Sequence, residues 1–235
     1  MGKVYTLTQE EIYLFSKSPS QVQVAHEKIE KTGDADALAE FDSFKAVFNN
    51  AHDSLTRWLL VEMDGLYKHA SPDATRDVMM DYFRPSVTQN AKDHYDISFR
   101  DRVVSIVNGI RLFHDVGIIF DGEDDKKLTF HMDCCSAGQM LLEEGWYDEP
   151  RNITRCPASH MTAGIDNFPI YCAHDPIIDM AWMTVCGYPK KVLDYADPVA
   201  SCPCKYVVYK NKEDIPEYYF TRVGFEKPKS GTEKK

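Results

Sequence analysis

The residues able to do chemistry in this 235-residue chain crowd into its second half. All seven cysteines lie between Cys134 and Cys204, and the first 133 residues hold none. The sharpest pattern is Cys172-Ala-His-Asp175. A helix is expected to open there, with Asp175 as its cap and Pro176 at its first position. A thiol just ahead of a helix N-terminus feels the positive end of the dipole, which favours the thiolate. A carboxylate three residues on opposes that effect, so the sequence leaves the net sign open. Functionally, Cys172 is a candidate nucleophile and Asp175 a proton carrier beside it. The competing reading is an ordinary cap next to a buried thiol.

Around this pair stand further candidates. Cys202-Pro-Cys204 precedes an expected strand, and its single spacer is one short of the common zinc knuckle. Cys134-Cys135 follows the run Phe130-His131-Met132. Neighbours on an extended chain point to opposite faces, so only one of the two is expected to face a shared site. His160 and His174 are candidate bases or ligands. Tyr171, Trp182 and Tyr206 are candidates for stacking on a flat substrate, with plain core packing as the alternative. Cys186 reads as a small buried hydrophobe. Two or three thiols with a histidine would suit a soft metal. The sequence demands no cofactor and leaves room for a thiolate-bound metal, whose ligands it does not identify. No phosphate-binding glycine loop, dinucleotide fingerprint or zinc-protease motif is present.

The elements that must position these residues follow from periodicity. Thr8-x-x-Glu11 is a capping box, and Ser18-Pro19 opens a second helix that Gly33 ends. Apolar residues recur at helical spacing from Asp34 to about Asn50 and again from about Ser54 to Tyr67. Ser71-Pro72 opens the next helix, which Pro85 is expected to break or kink. A further helix spans about Ser98 to His114. The pattern then turns to strands: Val116–Phe120 and Leu128–Met132 as a hairpin, and later Lys191–Tyr195 and Lys205–Tyr209. A short helix is expected from Ala137 to Glu144, and a loop from Asp148 to Pro169. The fold class is therefore α+β. A helical N-terminal region (1–114) packs with a small, mostly antiparallel sheet in a cysteine-rich catalytic unit (115–225), followed by a disordered tail (226–235).

Composition narrows the partners. The net charge is −10, which disfavours a phosphate backbone as partner. No apolar run reaches the ~18 residues of a membrane span. The odd cysteine count without a secretory pattern points to a reduced cytoplasmic setting. A homo-oligomer is compatible with this charge.

The C-terminal pattern resembles the L-2-amino-thiazoline-4-carboxylic acid hydrolase family. The likeness rests on Cys134 or Cys135 in FHMDCCSAGQMLLEEG, on Cys172 and Asp175 in CAHDPIID, on the turn around Gly187, and on Cys204-Lys-Tyr206. It covers roughly residues 110 to 210. The long loop from Asp148 to Phe168 and the extra Cys156, His160 and His174 depart from it. The same Cys-x-x-Asp is similar to the active-site segment of alkylmercury lyases, whose later cysteine and winged-helix region have no clear counterpart here. The resemblance implies a cysteine-dependent hydrolase of carbon–nitrogen bonds other than peptide bonds, acting on a small thiazoline- or amidine-like molecule. Cys172 would be the nucleophile and Asp175 the proton shuttle, with Cys204 and His174 beside them. On this reading one of Cys134 and Cys135 would line the substrate site, and His160, Tyr171, Trp182 and Tyr206 are added to it as candidates from the residues themselves. The alternative is a thiol-based metal- or organometal-handling protein, including lyase-type carbon–metal cleavage.

Overall fold

The computed structural model describes residues 21–91, 94–114, 116–201 and 204–229. The segments expected at Thr8 and Ser18, Cys202 and the end of the tail lie outside these. Helix α1 (Gln21–Glu30) ends before Gly33, whose φ of 71° lies in the left-handed region that favours glycine. Asp34 then caps α2 (Ala35–His69) by accepting from the Ala37 N–H at 2.9 Å. The two expected stretches are thus one 35-residue helix. Asn49-Asn50-Ala51-His52 contains neither Gly nor Pro, so nothing interrupts the backbone ladder. Helix α3 (Pro72–Ala91) also runs through Pro85, where a break or kink was expected, without being broken. Asp81 and Pro85 are exposed, so the carbonyl that loses its partner faces water, while Met79, Val87 and Ala91 stay buried and hold the axis.

Helix α4 (Phe99–His114) closes the helical half. Strands β1 (Ile118–Glu123) and β2 (Lys127–Met132) form the hairpin, with Asp124 accepting from the Lys126 and Lys127 N–H groups in its turn. After α5 (Gly138–Glu143), the expected loop contains a two-residue antiparallel pair, β3 (Arg155–Cys156) with β4 (Phe168–Pro169). A 3-10 turn, Ile170–Ala173, leads into α6 (His174–Cys186). Strands β5 (Val192–Asp194) and β6 (Lys205–Tyr209) complete a four-stranded antiparallel sheet of order β1-β2-β6-β5, before the short α7 (Tyr218–Thr221). The α+β class holds. Part of the tail is ordered: Lys227 donates to the Glu213 carbonyl at 2.7 Å.

Two of the apolar cores meet near the cysteine cluster. Phe99, Val103, Ile106 and Val107 of α4 lie on Ile118, Leu128, Phe130, Tyr206 and Val208 of the sheet. Leu60 and Met63 of α2 and Met79 of α3 lie on Leu141, Tyr147, Ile170, Tyr171 and Ile177. Cys172 packs on the second core and Cys135 and Cys204 on the first, while Tyr195 touches both. A polar chain links the helical layer to the Cys172 turn. Asp64 of α2 accepts from the Thr154 N–H at 2.9 Å, and the Thr154 carbonyl accepts from the Ile170 N–H at 3.2 Å. Lys68 closes on Asp64 at 2.7 Å and on the Asn152 carbonyl at 2.9 Å. Arg57 adds a two-pronged contact to Glu144 at 2.5 and 2.9 Å.

Burial pushes the Asp64 carboxyl up, but the bonds from Lys68 and Thr154 prevail and hold it below its usual value. Its contribution to stability is therefore full at neutral pH and is lost as pH falls through that lowered value. Asp64→Ala should cost about 1–3 kcal/mol. Urea denaturation at pH 7 reads this loss, and the gap from wild type should close below the carboxylate range.

Candidate functional site

The 3-10 turn and the first turn of α6 place Cys172, His174 and Asp175 at the seam between the two cores. Helix α6 opens at His174 with Ala173 as cap residue and no side-chain cap. Asp175 is thus not the cap that the sequence suggested. It lies inside the first turn, and its carboxylate turns to cations. Lys191 Nζ stands 3.4 Å from Oδ1 and His174 Nε2 stands 3.5 Å from Oδ2. The Tyr171 carbonyl lies 2.6 Å from His174 Nδ1, and a carbonyl can only accept, so Nδ1 carries the proton. Nε2 is then the ring position free to exchange a proton, and it faces Asp175. About a fifth of the Asp175 side chain, 19%, reaches solvent.

Gly138 brings the thiols together. A Cβ there would lie 3.2 Å from Cys172 Sγ, 3.5 Å from Cys135 Sγ and 3.3 Å from Ala200 Cβ. An added methyl would crowd Cys172 Sγ and Ala200 Cβ while resting in ordinary contact with Cys135 Sγ, so glycine eases the approach of α5 to the Cys172 sulfur. Cys204 joins from the other side of the seam, its sulfur accepting from the Ala196 N–H at 3.4 Å. Burial pushes the Cys172 thiol well above its ordinary range, and Cys135, Asp175 and Cys204 push the same way. Arg155 pulls in the other direction and loses. The sign left open by the sequence is settled by burial against the helix dipole: the resting group is a thiol. Burial likewise lifts Cys204 to about 11. Asp175 goes the opposite way. Burial alone would raise it, but His174, Lys191 and His114 keep it below the usual carboxylate value. The site therefore holds a protonated thiol beside an ionised carboxylate.

The expected residues divide. Cys172, Asp175, His174, Cys204, Cys135 and Tyr206 converge. Of the adjacent pair, Cys135 faces the site and Cys134 is exposed. Tyr206 stacks on Phe130 with centroids 5.2 Å apart and carries Lys191 Nζ 4.5 Å above its ring, so it holds the lysine rather than offering a bare face. Tyr171 is buried against α2, where Thr56 bonds its hydroxyl, and serves as an anchor for the turn rather than as a stacking surface. Trp182 is not at the site. It lies two turns further along α6, packed against Val87 and Ala91 of α3 and edge-on to His94 at 5.0 Å. His160 is also elsewhere. Its ring sits on Gly224, where a Cβ would come within 2.7 Å of Nδ1, beside a hollow lined by Arg76, Arg84 and Met180. Cys186 is a half-buried thiol that bonds the Trp182 and Tyr188 carbonyls at 3.2 Å.

Sequence reasoning missed several neighbours. Lys191 stood in a strand expectation with no sign of a role. His114 and His52 lie more than fifty residues upstream of Asp175, yet their rings meet edge to face at 5.6 Å, and burial lowers His114 to about 4. The Tyr195 hydroxyl is buried near Asp175 and Cys172 and has no hydrogen-bond partner among the described residues. Gly138 alone carried a signal, as a glycine opening a helix straight after a cysteine pair.

Comparison with family models, with curated proteins and with solved structures found no match. Among the described residues, no group of three or more His, Cys, Asp or Glu side chains is arranged to hold a metal ion, and no helix is long and apolar enough to cross a membrane.

Two outcomes follow from this geometry. Gly138→Ala should cost about 1–3 kcal/mol by overpacking and disturb the Cys172 environment, read by denaturation and by thiol alkylation. Cys172 should react slowly with iodoacetamide at pH 7–8 and accelerate only at higher pH. Asp175→Asn removes a negative charge beside the sulfur, so it should shift that acceleration to lower pH, followed by peptide mass spectrometry.

Proposed function

We propose that this chain is a cysteine-dependent hydrolase of a small C=N- or C–S-containing molecule, thiazoline- or amidine-like, with Cys172 as nucleophile and Asp175 as proton shuttle. The observation that carries this reading is the protonated Cys172 thiol next to a carboxylate kept ionised by Lys191 and His174. A thiol in that state needs a base at the moment of attack, and Asp175 stands three residues on, in the first turn of α6. As Sγ bonds to the C=N carbon, its proton passes to Asp175. The C=N electron pair moves to nitrogen, which takes that proton back. On collapse Asp175 takes the N–H proton and delivers it to the leaving nitrogen or sulfur, so the C=N bond re-forms as the C–N or C–S bond breaks. Water, losing a proton to Asp175, attacks the adduct; the S–C bond breaks and the sulfur recovers that proton from Asp175. Lys191 keeps the carboxylate oriented throughout.

A second reading has one observation in its favour. Cys135 and Cys204 gather around Cys172, and a single-nucleophile hydrolase does not require them. Neighbouring thiols suit a soft metal or organometal as cargo or substrate. In that case the protein should take up a soft metal such as Cd(II) stoichiometrically and lose it when Cys172 and Cys204 are both replaced.

Cys172→Ser should abolish turnover of a thiazoline or amidine substrate found by screening while leaving the circular dichroism and melting curve intact. Asp175→Asn should lower kcat by about 10²–10⁴-fold. Retained turnover in Cys172→Ser would exclude the covalent mechanism.

A further inference from the structure

Helix α2 does two unlike things with its surface. One face carries Thr56, Leu60, Met63 and Asp64 into the core. On the face turned away from it, Phe44, Val47, Leu55 and Trp58 are each 61–66% exposed, with exposed Ala51 between them. Spacings of 3, 4, 4 and 3 residues align all five along one side of a helix. Between Glu40 and Glu62 this stripe carries no charge. Contiguous apolar surface of this kind on a highly charged protein marks an interaction site.

The order of the residues identifies the occupant. Phe44 and Trp58 stand seven residues either side of Ala51, and Val47 and Leu55 stand four either side. The stripe is thus a palindrome about a small residue. We propose that it binds the same stripe of a second copy of this chain, antiparallel, with the two-fold axis at Ala51. Phe44 then meets Trp58 of the second copy, Val47 meets Leu55, and the two Ala51 residues let the helices approach. An isologous contact of this form is what two-fold dimers require. The four large side chains expose on the order of 500 Å² per copy, at about 200 Å² for a whole large side chain. Ala51, Ser54 and Val61 and the Lys45 stem add the remainder of the ~800 Å² that a stable partner surface takes. Glu40 and Glu62 fall at matching distances beyond the aromatics, so like charges meet at both ends and association tightens as salt rises.

Sedimentation equilibrium of the full chain at micromolar concentration tests this. Wild type should show twice the 26.9 kDa chain mass. Val47→Lys and Leu55→Glu should each weaken association at least tenfold, with circular dichroism unchanged because both positions are exposed. The double variant should restore it, since the introduced lysine of each copy then faces the introduced glutamate of the other, twice over. A parallel pair would bring like charges together and give no rescue. A dimer whose double variant stays monomeric overturns the antiparallel register. A monomeric wild type overturns the dimer.

Discussion

A negative charge held at the seam of two apolar cores organises the rest of this molecule. Asp175 reaches solvent with only a fifth of its side chain. A shielded carboxylate without partners costs several kcal/mol. The fold answers by bringing basic side chains from three elements. His174 comes from the same helical turn, Lys191 from the approach to β5, and His114 from the end of α4. Lys191 is itself held over the Tyr206 ring on β6. The sheet, the helical layer and the turn are thereby tied to one charge. That charge, together with burial, keeps the neighbouring Cys172 in its thiol form.

The long helix α2 is the brace for this arrangement. Thr56, Arg57 and Asp64 occupy little more than two turns and contact Tyr171, Glu144 and Thr154 in turn. Each of these belongs to the irregular stretch around the site, which has few backbone ladders of its own. A loop with two-residue strands cannot fix the Cys172 turn by sheet bonding, so side chains from a rigid helix do it. The opposite face of the same helix carries the palindromic apolar stripe. A dimer formed there would stiffen the helix that seats Cys172 without touching the site.

Local rules made most of the fold readable. Ser98, which accepts from the Asp101 N–H, and the shift to alternating residues after His114 placed α4 and the hairpin closely, because caps and periodicity act within a few residues. Pro85 misled because a proline costs one bond locally, and the buried residues on either side of it outweigh that bond. Asp175 misled for the opposite reason. Its sequence context fits a cap, but a cation sixteen residues away offers more than the helix N-terminus. At the site, Cys172, Cys135 and Cys204 were legible because thiols are rare and their spacing is conspicuous. Lys191, His114 and Tyr195 were not, because common residues acquire a role only from what the fold places beside them. Trp182 and His160 show the converse, since a residue close in sequence to the site can be carried away from it by two helical turns or by a loop.

A thiol kept protonated beside an ionised carboxylate is a different device from a stored thiolate. The thiolate is the form that metals, oxidants and alkylating agents capture. Burial of Cys172 withholds it from these in the resting state, and the two thiols nearby do not lower the barrier, since each raises the sulfur further. In the proposed reaction the nucleophile is released only when a proton acceptor takes its proton in concert with bond formation. Asp175 is suited to that because its own proton affinity is held low, so it returns the proton readily to a developing nitrogen anion. The same pairing explains why Lys191 and His174 matter although neither need touch the substrate. Remove their charge and the carboxylate drifts toward its protonated form, leaving two acids side by side and no base between them.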